Sequence, residues 1–300
     1  MEDFANLLAT NARQIGKLLD TKLSNHVKTG EIARPATLLA AMRHGVLNGG
    51  KRLRPFLVIQ TAALFDASLE AAQQVGAALE CVHCYSLIHD DLPAMDDDDL
   101  RRGKPTVHKA FDEATAILAG DALLTIAFDF LSNEIGELNA QTRLKLIRGL
   151  ALSAGLGGMV GGQILDLQAE KQKPDESGII TLQAMKTGAL IRYACEAGAI
   201  IGNATREDRQ RLAEFGSAIG LAFQLADDVL DVMGDTAALG KTAGKDIASD
   251  KATLVALHGV DWARRQLAGL MEQAEAVLEP FGKKADILRH TAEFIIKRKS

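Results

Sequence analysis

Residues 90–102 read D-D-L-P-A-M-D-D-D-D-L-R-R, six aspartates within ten positions followed at once by two arginines. Carboxylates this close repel and raise one another's pKa unless cations intervene. Magnesium answers that need: it takes one or two carboxylate oxygens and fills its other octahedral positions with water and substrate phosphate. Arg101 and Arg102 suit a phosphate-bearing ligand, because guanidinium forks match phosphate oxygens. The bland reading of the same run is a solvated acidic loop or a calcium-type site.

Upstream, Ser68 caps a helix with Glu70 in its first turn, and Val75, Leu79, Val82 and Ser86 carry helical spacing to Asp90. The acidic run therefore starts at a helix C-terminus. On an ideal helix Asp90 and Asp96 would point about 120° apart, but Pro93 disturbs the turn and lets both face one cavity. His83 lies seven residues before Asp90, two turns back on the same face. A lone helical histidine is commonly a satisfied core residue; near Lys51 and Arg54 it reads as a ligand.

Earlier still, helical spacing runs from Phe4 to Leu23 and from Ala36 to Leu47, where Gly49 and Gly50 stop it. K-R-L-R-P follows at 51–55, with Pro55 in the first turn of the next helix. Lys51, Arg52 and Arg54 beside a helix N-terminus make an anion site. Solvated basic residues near a helix start are the alternative.

Downstream, Gly120 and Asp121 read as a helix stop and an N-cap opening 122–131. The glycine-dense stretch 155–162, before Gln163 and Asp166, implies either close helix packing or a ligand near the backbone. Lys186 and Thr187 precede Gly188, where an amine and a hydroxyl could reach an anion; a surface lysine is the commoner case. Thr205 and Asp208 form a capping box for a helix over about 207–233. Leu212, Phe215, Ile219, Ala222 and Ala226 make its apolar stripe, and Gly220, Gln224, Asp227 and Asp231 a second one. Asp227 and Asp231, with Asp228 beside them, can thus share cations. The loop at 234–246 imitates a P-loop, but Asp235 stands where the first glycine should and a helix precedes it. A lid carrying Lys241, Lys245 and Lys251 toward phosphates is the better reading; Ser249 caps a final helical region with a basic tail, Lys297 to Lys299.

The 300-residue chain is 47% apolar and only 4% aromatic, rich in Ala and Leu, which predicts an all-α protein forming one domain over 1–300. Its net charge of -5 excludes a nucleic-acid footprint. No secretory signal or membrane span is legible, since the longest uncharged run, 149–165, falls short of the roughly 20 residues a span needs; a cytoplasmic protein is expected. Cys81, Cys84 and Cys195 make no disulfide framework. The C-x-x-C at 81–84 sits inside a helical pattern and reads as buried packing rather than zinc.

Two aspartate-rich motifs on separate helices, each with basic residues downstream, narrow the choice further. The sequence resembles the short-chain trans-isoprenyl diphosphate synthases, most closely the bacterial farnesyl type. The resemblance rests on GGKRLRP at 49–55, YSLIHDDLPAMDDDDLRRG at 85–103, GGMVGGQILD at 157–166, KTGALI at 186–191 and FQLADDVLD at 223–231. It implies a bundle of ten or more helices around a central cavity, usually a homodimer. The implied reaction ionises dimethylallyl and then geranyl diphosphate, joins the allylic cation to isopentenyl diphosphate and loses a proton, to give farnesyl diphosphate. No side chain is an obvious base, and the resemblance implies that the departing pyrophosphate takes the proton.

By the same resemblance Asp90, Asp96 and Asp227 would bind magnesium, or manganese in its place, with Asp91, Asp228 and Asp231 in support. Arg101, Lys186, Lys241 and Lys251 would hold the allylic diphosphate, with Thr187 and Gln224 lining its site; isopentenyl diphosphate would lie on Gly50, Lys51, Arg54, His83 and Arg102. Tyr85 lies five residues before Asp90, about 7.5 Å along the helix, so with Ser86 it should stop the growing tail. The rivals are a geranyl or geranylgeranyl synthase, a terpene cyclase and a non-catalytic regulatory subunit. A cyclase would carry Asn or Asp, then Ser or Thr, then Glu in its second motif and would not need the 49–55 site. A regulatory relative would tend to lose one acidic motif, and both are intact.

Overall fold

The computed structural model describes residues 2–233 and 253–297. Lys241, Lys245, Ser249 and Lys251, like Arg298 and Lys299, lie outside the described residues.

Within the described residues the chain is helical almost throughout, as its composition requires. α1 (Glu2–Lys22), α2 (Ala36–Leu47), α3 (Leu53–Ala63) and α4 (Leu69–Asp90) lead to the acidic run. A short hairpin, β1 (Leu100–Arg101) and β2 (Lys104–Pro105), separates it from α5 (Val107–Ala110), α6 (Glu113–Ser132), α7 (Ala140–Ala154), α8 (Met159–Ala169) and α9 (Glu176–Gln183). A single π-helical turn, Ala184–Gly188, joins α9 to α10 (Ala189–Ile201). Then come α11 (Arg206–Val232), α12 (Leu254–His258), α13 (Val260–Leu278) and, after a 3-10 segment, α14 (Asp286–Lys297).

Local signals set the two helices that carry the motifs. Ser68 Oγ accepts from Ala71 N–H at 3.3 Å at the start of α4, and Thr205 Oγ1 accepts from Asp208 N–H at 3.1 Å at the start of α11. The apolar stripe of α11 is buried from Leu212 to Ala226. α4 packs between α3 and α6, and α10 between α3 and α11; the C-terminal ends of α4 and α11 both come near Lys186. The three cysteines are free and buried, as packing residues, and burial pushes their thiols up.

The expected helix stop at Gly120 is corrected. α6 runs straight through it from its true cap, Asp112, whose carboxylate accepts from Thr115 N–H at 2.8 Å. Gly120 is there for packing: a Cβ would lie 2.0 Å from His89 Nε2 on α4.

The choice left open for 155–162 also resolves, toward close packing. A Cβ on Gly162 would lie 2.2 Å from the backbone nitrogen of Lys186, and one on Gly220 would lie 3.0 Å from Gly188 Cα. Glycines of α8 and α11 thus let the π turn approach from both sides.

By length and apolarity, 113–132 and 140–169 could cross a membrane. The first, however, is α6, with Ala116, Leu123 and Ala127 fully buried in the bundle, and the second is broken into α7 and α8.

Candidate active site

Two adjoining cavities share the π turn. The first, about 190 Å³, is lined by Asp96, by Asp166 of α8, by Gln183, by Lys186 and Thr187 of the π turn, and by Gln224, Asp227 and Asp228 of α11. The second, about 410 Å³, is lined by Asp90, Tyr85, Ser86, His83 and Arg54 together with apolar Met95, Val160, Ile164 and Leu167, and again by Lys186 and Thr187. One space is acidic and polar and the other largely apolar. Lys186 and Thr187 border both.

A π turn suits this duty, because such insertions locally re-aim helix side chains and recur at functional sites. Lys186 Nζ reaches Asp166 Oδ2 at 2.6 Å, and Thr187 Oγ1 donates to Gln224 Oε1 at 3.1 Å. Gln224 and Gln183 each donate an amide hydrogen to Asp228, one to each carboxylate oxygen, both at 2.9 Å. Buried Asp228 therefore anchors the wall, while Asp227 faces the cavity. Asp231 is buried and borders neither cavity.

The first motif divides in a similar way. Asp90 and Asp96 border neighbouring cavities rather than the single one expected; Asp96 N–H donates to Asp90 O at 2.8 Å across the loop that Pro93 opens. Burial pushes the Asp90 carboxyl up to about 6, against the pull of Lys186 and with the repulsion of Asp96. Asp91 points elsewhere. It is buried and accepts from Arg101 Nε at 2.7 Å, and Arg101 also lies 3.6 Å from Asp98.

Arg102 and Gly103 turn the hairpin with φ of 53° and 74°, the doubly left-handed geometry of a tight two-residue turn. This sends consecutive arginines to different places. Arg102 Nη1 donates to Gly49 O at 2.6 Å, and its guanidinium fills the space a Cβ on Gly50 would need. Arg54 Nη1 lies 3.4 Å from His83 Nε2, and Arg54 Nε is buried with no hydrogen-bond partner. Burial pushes the His83 imidazole well down, helped by Arg54 and Arg102. The corner made by Gly50, Arg54, His83 and Arg102 is thus cationic and short of acceptors, as an anion site should be. Lys51, at its rim, holds Nζ 5.0 Å above the Phe294 ring.

One cation of 51–55 is not part of that site. Arg52 is buried and bound to Glu80 Oε1 at 2.6 Å, with a second bond to Val46 O, so it is an internal ion pair and not an anion ligand. Sequence reasoning gave Asp166 and Gln183 no role in the site, because each acts through a partner 20 or more positions away.

The carboxylates of Asp90, Asp96 and Asp227 fit a hard divalent cation, being oxygen donors on the walls of two adjoining cavities. Among the described residues a second acidic group, exposed Asp97 and Asp99 with buried His108, places ligand-type atoms within 4.8 Å of one another. It borders neither cavity.

A model of the family described as polyprenyl synthetase matches residues 35–287. Farnesyl diphosphate synthase of Escherichia coli is 46% identical over 266 residues, 87% of this chain and 89% of that one. The enzyme of the same name from Bacillus subtilis is 40% identical over 283 residues, 94% and 95% of the two chains. Among solved structures, one described as an FPP/GFPP synthase from Zymomonas mobilis superimposes with a TM-score of 0.87 at 45% identity, covering 98% of this chain and 99% of that one.

Proposed function

Because the chain belongs to the polyprenyl synthetase family, we propose that it is a prenyltransferase that extends dimethylallyl and geranyl diphosphate with isopentenyl diphosphate to farnesyl diphosphate. The adjoining cavities carry this reading. A ligand with a charged head and a hydrocarbon tail needs an acidic, cation-ready space opening onto an apolar one, and Lys186 and Thr187 border both.

Asp90, Asp96 and Asp227 would hold magnesium, or manganese in its place, which when bound neutralises the diphosphate leaving group. Lys186, released from Asp166, holds the allylic diphosphate from the shared wall. Arg101 supports that end from its pairing with Asp91, and Lys241 and Lys251 are assigned there from the sequence alone. Thr187 and Gln224 line the path of the allylic cation. Isopentenyl diphosphate takes the corner of Gly50, Lys51, Arg54, His83 and Arg102, where an anion offsets the clustered cations and gives buried Arg54 Nε an acceptor.

Tyr85 and Ser86 border the apolar cavity one turn before Asp90, where they limit the tail. Incubation with isopentenyl diphosphate, magnesium and either allylic primer should yield a fifteen-carbon product. No extension from either primer would reject the synthase reading, whereas longer or shorter products alone would replace the farnesyl assignment with a geranylgeranyl or geranyl one. Tyr85→Ala should lengthen the product.

Free, buried cysteines suit a reducing cytoplasm. We assign the chain as one domain over 1–300 and as a homodimer. Exposed Leu118, Leu152 and Leu156 of the α6–α7 region supply apolar surface for a second copy. Light scattering giving the mass of one chain would remove the dimer.

A further inference from the structure

The floor of the apolar cavity holds a second ring that the reaction itself does not call on, His89, which borders the cavity beside Tyr85. Tyr85 is 6% exposed and sits one helical turn before His89. Their rings meet edge to face, with centroids 5.7 Å apart at 77°. On its other side His89 Nε2 lies 3.0 Å from the carbonyl oxygen of Ile117 on α6. A carbonyl only accepts, so Nε2 carries the proton and the hydrogen bond fixes both tautomer and ring plane. The ring lies where a side chain on Gly120 would be: a Cβ there would fall 2.0, 2.4 and 2.7 Å from its Nε2, Cδ2 and Cε1.

Those contacts make a stack across two helices, from the glycine of α6 through the imidazole to the phenol ring. Gly120 borders neither the acidic nor the apolar cavity. Any influence it has on the tail must pass through His89.

We propose that His89 and Gly120 are positioning residues for product chain length: Gly120 opens a slot that lets His89 bond to α6, and the seated imidazole holds the Tyr85 ring across the cavity. The proposal rests on the reading of the protein as a farnesyl-type synthase with Tyr85 as its floor. Removing the imidazole gives Tyr85 room to swing back and deepens the cavity. Filling the slot drives the imidazole off α6 toward Tyr85 and makes the cavity shallower. The two changes act in opposite directions, which loss of packing alone would not produce.

The test compares product length with isopentenyl diphosphate and geranyl or dimethylallyl diphosphate, across variants confirmed as folded by circular dichroism. His89→Ala should raise the ratio of twenty- to fifteen-carbon product about tenfold, the discrimination that small changes in an apolar pocket supply. Gly120→Ala should shift product toward ten carbons, and the double variant should behave as His89→Ala, since no ring remains to be displaced. His89→Gln keeps an N–H donor for Ile117 and should restore the fifteen-carbon product in part. If Gly120→Ala does not fold, the His89 pair decides alone. Tyr85→Ala separates the two levels. Should it lengthen the product while His89→Ala and Gly120→Ala leave it at fifteen carbons, the positioning role is overturned and the floor stands. Should it change nothing, the floor reading and the proposal fall together.

Discussion

Asp90→Asn is expected to lower kcat by about 10²–10³-fold, the loss seen when one preorganised electrostatic group is removed from a reacting centre, without unfolding the protein. Asp90 ends α4, where the helix dipole already disfavours a negative charge. Burial, together with Asp96 and Asp91, outweighs Lys186 and raises its carboxyl to about 6. The consequence for stability follows from the sign of that shift. A carboxyl whose folded pKa lies above its ordinary 3.8 makes the fold less stable as pH rises from about 4 through about 6. At pH 7.5 the full cost is present. An amide of the same shape removes it, so the metal-free variant should melt at or above the parent's Tm. Magnesium with pyrophosphate should stabilise the parent at pH 7.5, do so less at pH 5, and stabilise the variant little at either. Steady-state kinetics and thermal melts at the two pH values check this; a kcat within threefold of the parent would refute the assignment of Asp90.

Glu80→Gln should cost about 3–5 kcal/mol of stability, as breaking one partner out of a buried ion pair does. Glu80 and Arg52 are each nearly inaccessible, at 2% and 6% exposure, and their 2.6 Å contact joins the middle of α4 to the start of α3. Arg52 enters α3 with a φ of 51°, a conformation its fixed side chain helps to hold. Without the carboxylate, Arg52 stays buried near Arg54 and Arg102 with no counter-charge. That cost is a large share of the roughly 5–15 kcal/mol a domain of ordinary stability has. Urea unfolding should show a lower midpoint at unchanged slope, and a loss below about 1 kcal/mol would mean that Arg52 finds other acceptors.

The boundaries of α4 and α11 were legible because their signals are local: Ser68, Thr205 and Asp208 cap their own first turns, and the apolar stripes recur within one element. The acidic motifs were legible for the related reason that like charges so close together demand an explanation. Gly120 and Arg52 misled because their meaning lies elsewhere in the chain. A glycine beside an aspartate looks like a helix stop until His89, 31 positions earlier, occupies the space at its Cα. An arginine between two other cations looks like a phosphate ligand until Glu80 is brought to it by the packing of α3 on α4. Asp166 and Gln183 follow the same rule, since nothing near them in sequence names Lys186 or Asp228 as partners.

The π turn at Ala184–Gly188 has one more consequence. It holds about one residue more than an α-helical turn would, so deleting one residue from it would close the bulge into regular helix and re-aim the side chains of the turn itself. Ancestry and engineering should therefore treat this short segment as fixed in length before it is fixed in composition: substitutions there can be graded in effect, while an insertion or deletion would turn Lys186 and Thr187 out of the wall they share.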